Sequence, residues 1–172
     1  INNDRARDNT RPWFDRLRGG ARRLASVATS AESVVTFGVG TFTMDGYIGG
    51  TGDGNTFAFN ANGITYANYF FRRAPGFMDV VCYTGTGSAR TVNHNLGVVP
   101  ELMIVKSRSD AANWCVYSAT LGPTKRLLLN NSDGEVTDSG NFNNTAPTST
   151  VFTVGVDDKT NLSGWTYVNY LF

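Results

Sequence analysis

His94 is the only histidine among the 172 residues, so any Ser-His-Asp relay would have to pass through it. It lies in TVNHNLGVVPEL, between a short strand and a Gly/Pro turn. No G-x-S-x-G nucleophile elbow accompanies it. The nearest string, GTGSA at 85–89, sets Ser88 directly after Gly87 in a hairpin-like turn. The imidazole is therefore expected to bond loop backbone. Glycoside hydrolysis needs two carboxyl groups facing a cleft. The only glutamates are Glu32, Glu101 and Glu135, and Glu32 and Glu135 both read as turn residues. Zinc needs several Cys and His ligands, and the chain offers three such residues, widely spaced. Cys82 and Cys115 sit in the strand-like runs VVCY and WCVY, as buried thiols or as a disulfide. Asp45 and Asp53 bracket a glycine loop and Asp157-Asp158 fall in a comparable one, but neither has the D-x-D-x-D-G order of a calcium loop. The expectation is a protein with no catalytic residue, metal or cofactor.

Two sets of residues could recognise a partner. Aromatic side chains stack on sugar faces while Asn, Asp and Thr loops bind hydroxyls. Trp165, Tyr47, Asp157 and Asp158 are the candidates for such glycan or partner contact. Trp13 and Trp114 read instead as core. Residues 1–25 hold seven arginines against three aspartates, with Trp13 and Phe14 between them. Arg11, Arg16, Arg18, Arg22 and Arg23 form a basic cluster suited to docking on a protein partner, since Arg is enriched at interfaces. Basic plus aromatic residues can also bind nucleic acid, but no Lys-rich run joins them and the whole chain carries a net charge of +1.

The elements that must hold these residues are strands. Nineteen Gly, 20 Thr, 17 Asn and 11 Ser make up about two-fifths of the chain, and Gln is absent. Gly, Asn and Ser favour turns and Thr favours strands. A helical bundle would need Ala, Leu, Glu, Lys and Gln instead. Only 17% of residues are charged and 41% are hydrophobic, enough for a core. No apolar run reaches the ~18 residues of a membrane helix. Period-2 patterning predicts strands near 41–44, 64–71, 77–83, 102–106, 114–117, 125–129, 151–154 and 165–172. The segment TRPWFDRLRGGARRLASVATSAES could pass for a short basic helix, but Gly19-Gly20 would break it.

An internal repeat favours strands there too. GITYANYFF at 63–71 matches GWTYVNYLF at 164–172 at six of nine positions, 101 residues apart. Trp13 and Trp114 share that spacing. ARRL at 21–24 parallels TKRL at 124–127, two residues out of step, and AES at 31–33 parallels GEV at 134–136. TFTM at 41–44 parallels VFTV at 151–154, with the glycine loop GYIGGTGDGNT absorbing the length difference. The chain thus reads as one complete ~100-residue unit and about two-thirds of another. The first copy lacks the counterpart of residues 77–101, so the protein is expected to extend N-terminally.

The strings GFMDVVCYTGTGSARTVNHNLGVVPELMIVKSR, NWCVYSATLGPTKRLLLN, NNTAPTSTVFTVG and SGWTYVNYLF resemble a tandemly repeated β-rich module of tailed-bacteriophage virion proteins. RARDNTRPWFDRLRGGARRLASVATSAES and TFTMDGYIGGTGDGN resemble the companion module that often precedes it. The resemblance spans nearly all of the chain. It transfers no catalytic residue and implies a location more than a mechanism: a tail fibre or similar appendage, built from symmetric oligomers, with trimers what that class suggests.

The expected fold is all-β, two tandem antiparallel β-sandwich (jelly-roll-like) modules at residues 1–76 and 77–172. The expected function is that of a virion structural protein acting by rigid presentation and assembly, with no enzymatic activity. Its partners would be other virion proteins or copies of itself, with neither membrane nor nucleic acid. The alternatives are a module that binds a host-surface glycan and a capsid-decorating or cement protein.

Overall fold

The computed structural model describes residues 2–4, 11–19, 22–34, 41–43, 46–48 and 66–172. The protein is all-β, built of antiparallel sheets, with one short helix among the described residues. It divides into two compact units, Ile1–Phe70 and Phe71–Phe172.

The first unit contains β1 (Asn2–Asp4), β2 (Pro12–Trp13), β3 (Arg22–Ala25), β4 (Ser33–Val34), β5 (Thr41–Thr43), β6 (Gly46–Ile48) and β7 (Tyr66–Asn68). The segment that could pass for a helix forms the meander β2-β3-β4. β5 pairs with β6, its neighbour in the chain, and β1 pairs with β7.

The second unit contains β8 (Asp79–Thr84), β9 (Arg90–Asn93), β10 (Leu102–Ser107), β11 (Cys115–Ser118), β12 (Lys125–Leu128), β13 (Val136–Thr137), the single helical turn α1 (Ser139–Phe142), β14 (Val151–Val154) and β15 (Thr166–Leu171). Six of its strands form one sheet in the order β13-β12-β11-β10-β15-β8, and β14 pairs with β9 in a second. A jelly roll also has eight strands in two sheets, but here they divide six and two. The edge strand β13 is only two residues long, and both are exposed.

Alternation decides what enters the core. Met103 and Val105 from β10, Cys115 and Tyr117 from β11, and Tyr167 and Leu171 from β15 meet Val92 and Leu96, Phe142 of α1, and Phe152 and Val154 of β14. Tyr83 lies edge-on to Phe152 at 5.9 Å, and Tyr117 edge-on to Phe142 at 5.5 Å. These are favourable aromatic geometries. Val168 and Tyr170, on the opposite face of β15, are buried too, so this strand shows no clean division of core from surface. α1 forms because Asp138 caps it, accepting from the Gly140 N–H at 2.8 Å, and Asn143 ends it in the left-handed region.

Cys82 and Cys115 are not joined in a disulfide. The register explains why. Cys115 pairs with Leu128 and Val105 and faces the core, whereas Cys82 pairs with Val168 and faces the other side. β10 and β15 also lie between their strands. Cys82 is exposed, which corrects the expectation that both thiols are buried.

The two units pair their strands in matching register. Arg22↔Val34 and Arg23↔Ser33 in β3-β4 lie 103 residues before Lys125↔Thr137 and Arg126↔Val136 in β12-β13. Pro12↔Ala25 and Trp13↔Leu24 stand in the same relation to Cys115↔Leu128 and Val116↔Leu127. Gly19 and Gly122, also 103 apart, both take positive φ, +94° and +78°. This register aligns Trp13 with Val116, two residues from the Trp114 that simple spacing suggests, because strand pairing and not residue type sets the alignment.

Two glycines permit the closest backbone approaches in the second unit. A Cβ on Gly155 would fall on the Gly140 carbonyl, and one on Gly85 on the Leu162 carbonyl. Gly155→Ala must therefore push α1 from β14. A loss of about 2–4 kcal/mol is expected in chemical denaturation, and an unchanged midpoint would contradict this packing.

Candidate functional site

One end of the six-stranded sheet gathers the loop after β8 (residues 85–89) and the loop between β14 and β15 (residues 155–165). The second loop carries Trp165, Asp157 and Asp158, so the structure brings three of the four glycan candidates into one segment. Tyr47 lies in β6 of the other unit.

Asn161 joins these loops and is fully buried. Its Oδ1 accepts from the Thr86 N–H at 3.0 Å. Its Nδ2 donates to the Ser88 carbonyl at 2.7 Å and the Gly155 carbonyl at 2.6 Å. Its own carbonyl accepts from the Gly87 N–H at 2.8 Å. The glycine loop thus spends its amide donors inward, and they are not presented to a phosphate or another anion. Two tyrosines brace the arrangement. Tyr83 donates to the Thr160 carbonyl at 2.6 Å, and Tyr167 to the Asp158 carbonyl at 2.7 Å. Their rings stack at 5.3 Å, and the Arg90 guanidinium lies over Tyr83. Burial, with Tyr167 nearby, holds the Tyr83 phenol well above its ordinary range. Burial likewise pushes Tyr167 up to about 12.

The acidic candidates are engaged within their own loop. Lys159 Nζ lies 3.0 Å from a carboxylate oxygen of Asp157 and 3.0 Å from one of Asp158. Burial disfavours the Asp158 carboxylate, but the interactions with its neighbours, the bond donated by Lys159 Nζ among them, outweigh it and lower its pKa. Burial also opposes the Lys159 charge, yet its two carboxylate partners raise its pKa. Arg126 and Asp138 form a second pair at 2.9 Å. Trp165 is half-buried and packs on the edge of the core.

The basic cluster is divided. Arg18 is buried, paired with Asp15 and Glu32, and donates to the Trp13 carbonyl at 2.9 Å. Arg22 pairs with the other Glu32 oxygen at 3.0 Å, and Arg23 is half-buried. Arg11 and Arg16 are exposed. Only part of this cluster can therefore reach a partner. His94 is buried, with Nε2 3.0 Å from the Thr148 carbonyl and Nδ1 accepting from the Leu96 N–H at 3.2 Å, so it bonds loop backbone as expected. Both ring nitrogens are thereby occupied. Among the described residues, no three His, Cys, Asp or Glu side chains gather where they could hold a metal ion, and no helix is long and apolar enough to cross a membrane.

A family model matches residues 2–172, both units together. The chain belongs to the DUF7483 family, described as a domain of unknown function. No curated protein and no solved structure matches the chain. The connected residues of this DUF7483 domain that sequence reading missed are Asn161, Tyr83 and Tyr167. Asn161 sits in a loop where asparagine ordinarily signals a turn, so its type carried no warning that it is buried.

Two measurements probe this region and the buried charge nearest the sheet centre. Asn161→Ala leaves the buried Gly155 carbonyl unpaired and breaks two partly buried bonds to the 85–89 loop, and a loss of about 2–4 kcal/mol is expected in denaturant melts. Lys106 is fully buried, and its Nζ donates to the Ser107 carbonyl at 2.8 Å. Burial lowers its pKa from 10.5 to about 8. The unfolded chain then holds the proton more tightly than the folded one. The Lys106 contribution to stability should therefore rise between pH 8 and 10.5, by at most about 3 kcal/mol, against the opposite trend of the buried Cys115 thiol and the Tyr83 and Tyr167 phenols, whose pKa values burial raises. Lys106→Met should remove that rise. Parallel pH dependences for the two proteins would contradict it.

Proposed function

We propose that the chain is a structural protein of a tailed-bacteriophage virion, part of a tail fibre or similar appendage, and that it acts by rigid presentation and protein–protein assembly. It is read as two tandem β-sandwich modules related by an internal repeat. The observation that carries this reading is the matched pairing register of the two units. Beyond the β2-β3-β4 meander, Asn2↔Asn68 and Asn3↔Ala67 in β1-β7 correspond to Val105↔Asn169 and Lys106↔Val168 in β10-β15. The ion pairs Arg22–Glu32 and Lys125–Glu135 follow the same spacing. Repeated modules suit a polypeptide that must extend as a stiff array. The virion location is supported by the sequence motifs YTGTGS, HNLGVVPELMIVK and NNTAPTSTVFTVG. Rigidity is supported by the loops of the second unit, whose polar groups bind one another around Asn161.

A second reading, recognition of a host-surface glycan, is favoured by one observation: Trp165 shares a loop with Asp157 and Asp158. The salt links of both carboxylates to Lys159 count against it, since a sugar hydroxyl would have to compete with them.

Mass spectrometry and antibody labelling of intact virions test the main proposal. Label on the tail is the expected outcome, with a self-associated, trimeric protein in light scattering. Label on the capsid would make it a decorating protein, and absence from virions would end the virion reading. Saturable binding on a glycan array, lost in Trp165→Ala, would favour the second.

A further inference from the structure

The Lys and Arg residues of the second unit have partners with one exception. Lys125 pairs with Glu135, Arg126 with Asp138, and Lys159 with Asp157 and Asp158. Arg90 donates to the Thr84 carbonyl, and Lys106 to that of Ser107. Arg108 also has a side-chain or backbone partner. Arg73 is held by Asp79, which is 1% exposed and also accepts from the Val80 and Asn95 N–H groups. Arg72 is exposed and is the one free cation among the described residues of this unit. It lies in the irregular stretch between β7 and the bridge Ala74↔Met78. Phe71, where the second compact unit begins, immediately precedes it.

We infer that the peptide bond between Arg72 and Arg73 is a processing site for an endopeptidase that recognises a basic side chain. Such an enzyme must take the side chain before the cut into an acidic pocket and draw the flanking backbone into an extended form. Exposed irregular segments meet that need at least cost. Arg72 is free to enter the pocket. Arg73 would first have to leave Asp79, removing the cation from a buried carboxylate. Water is the co-reactant. Its hydroxyl joins the Arg72 carbonyl carbon and its proton goes to the Arg73 nitrogen as the C–N bond breaks. The product retains β8 to β15 and the Arg73–Asp79 pair.

Limited trypsin digestion of the full chain, read by intact mass, tests the assignment. The fragment ending at Phe172 should begin at Arg73, and Arg72→Gln should abolish it. Asp79→Asn should shift the cut to follow Arg73. A first cut after Arg73 in the unaltered chain, or cuts within 74–172 at a comparable rate, would overturn the inference. So would undiminished cleavage of Arg72→Gln at this position.

Discussion

A buried amide holds the second unit closed. The Asn161 side chain reaches three backbone groups, on Thr86, Ser88 and Gly155, that belong to segments far apart in the chain. The Gly155 carbonyl would otherwise be a buried polar atom without a partner, and the Thr86 N–H and Ser88 carbonyl would lose partly buried bonds. The geometry in turn demands glycine at 85 and 155, because the backbones meet too closely for a Cβ. Tyr83 and Tyr167 complete the closure by donating to the same loop that Asn161 anchors. The sheet end is thus cross-braced by side-chain to backbone bonds.

The legible part of the fold was the part governed by alternation. VFTV at 151–154 coincides with β14, and LMIVKS and TYVNYL carry β10 and β15 within a residue or two of their expected limits. In these strands runs of apolar residues mark the buried segments, although β10 and β15 are buried on both faces. β13 was not visible, because two exposed residues carry no periodicity. α1 was hidden in a run that reads as a turn, since its stability comes from the Asp138 cap and from Phe142 entering the core rather than from helix-forming residues. Spacing alone aligned Trp13 with Trp114, whereas the strand pairing of the two units sets Trp13 against Val116. Identical residues need not occupy identical ladder positions when loops differ in length.

The site was less legible than the fold. Trp165, Asp157 and Asp158 are neighbours because they share a loop, and that much can be read directly. Their electrostatic state cannot, since it depends on where Lys159 folds back. The arginine cluster makes the same point. Five similar side chains within 13 residues divide into buried Arg18, salt-linked Arg22, half-buried Arg23 and exposed Arg11 and Arg16. A near-neutral total charge does not reveal that part of the basic charge is already neutralised inside the fold.

The brevity of β13 bears on how densely such a protein can be packed. A long, flat, uncovered edge invites pairing with any neighbouring strand, and chains held side by side meet such neighbours constantly. Two residues offer too few donors and acceptors to template a continuing ladder. At this edge the sheet terminates itself, and crowded copies can lie close together here without merging into a fibrous aggregate.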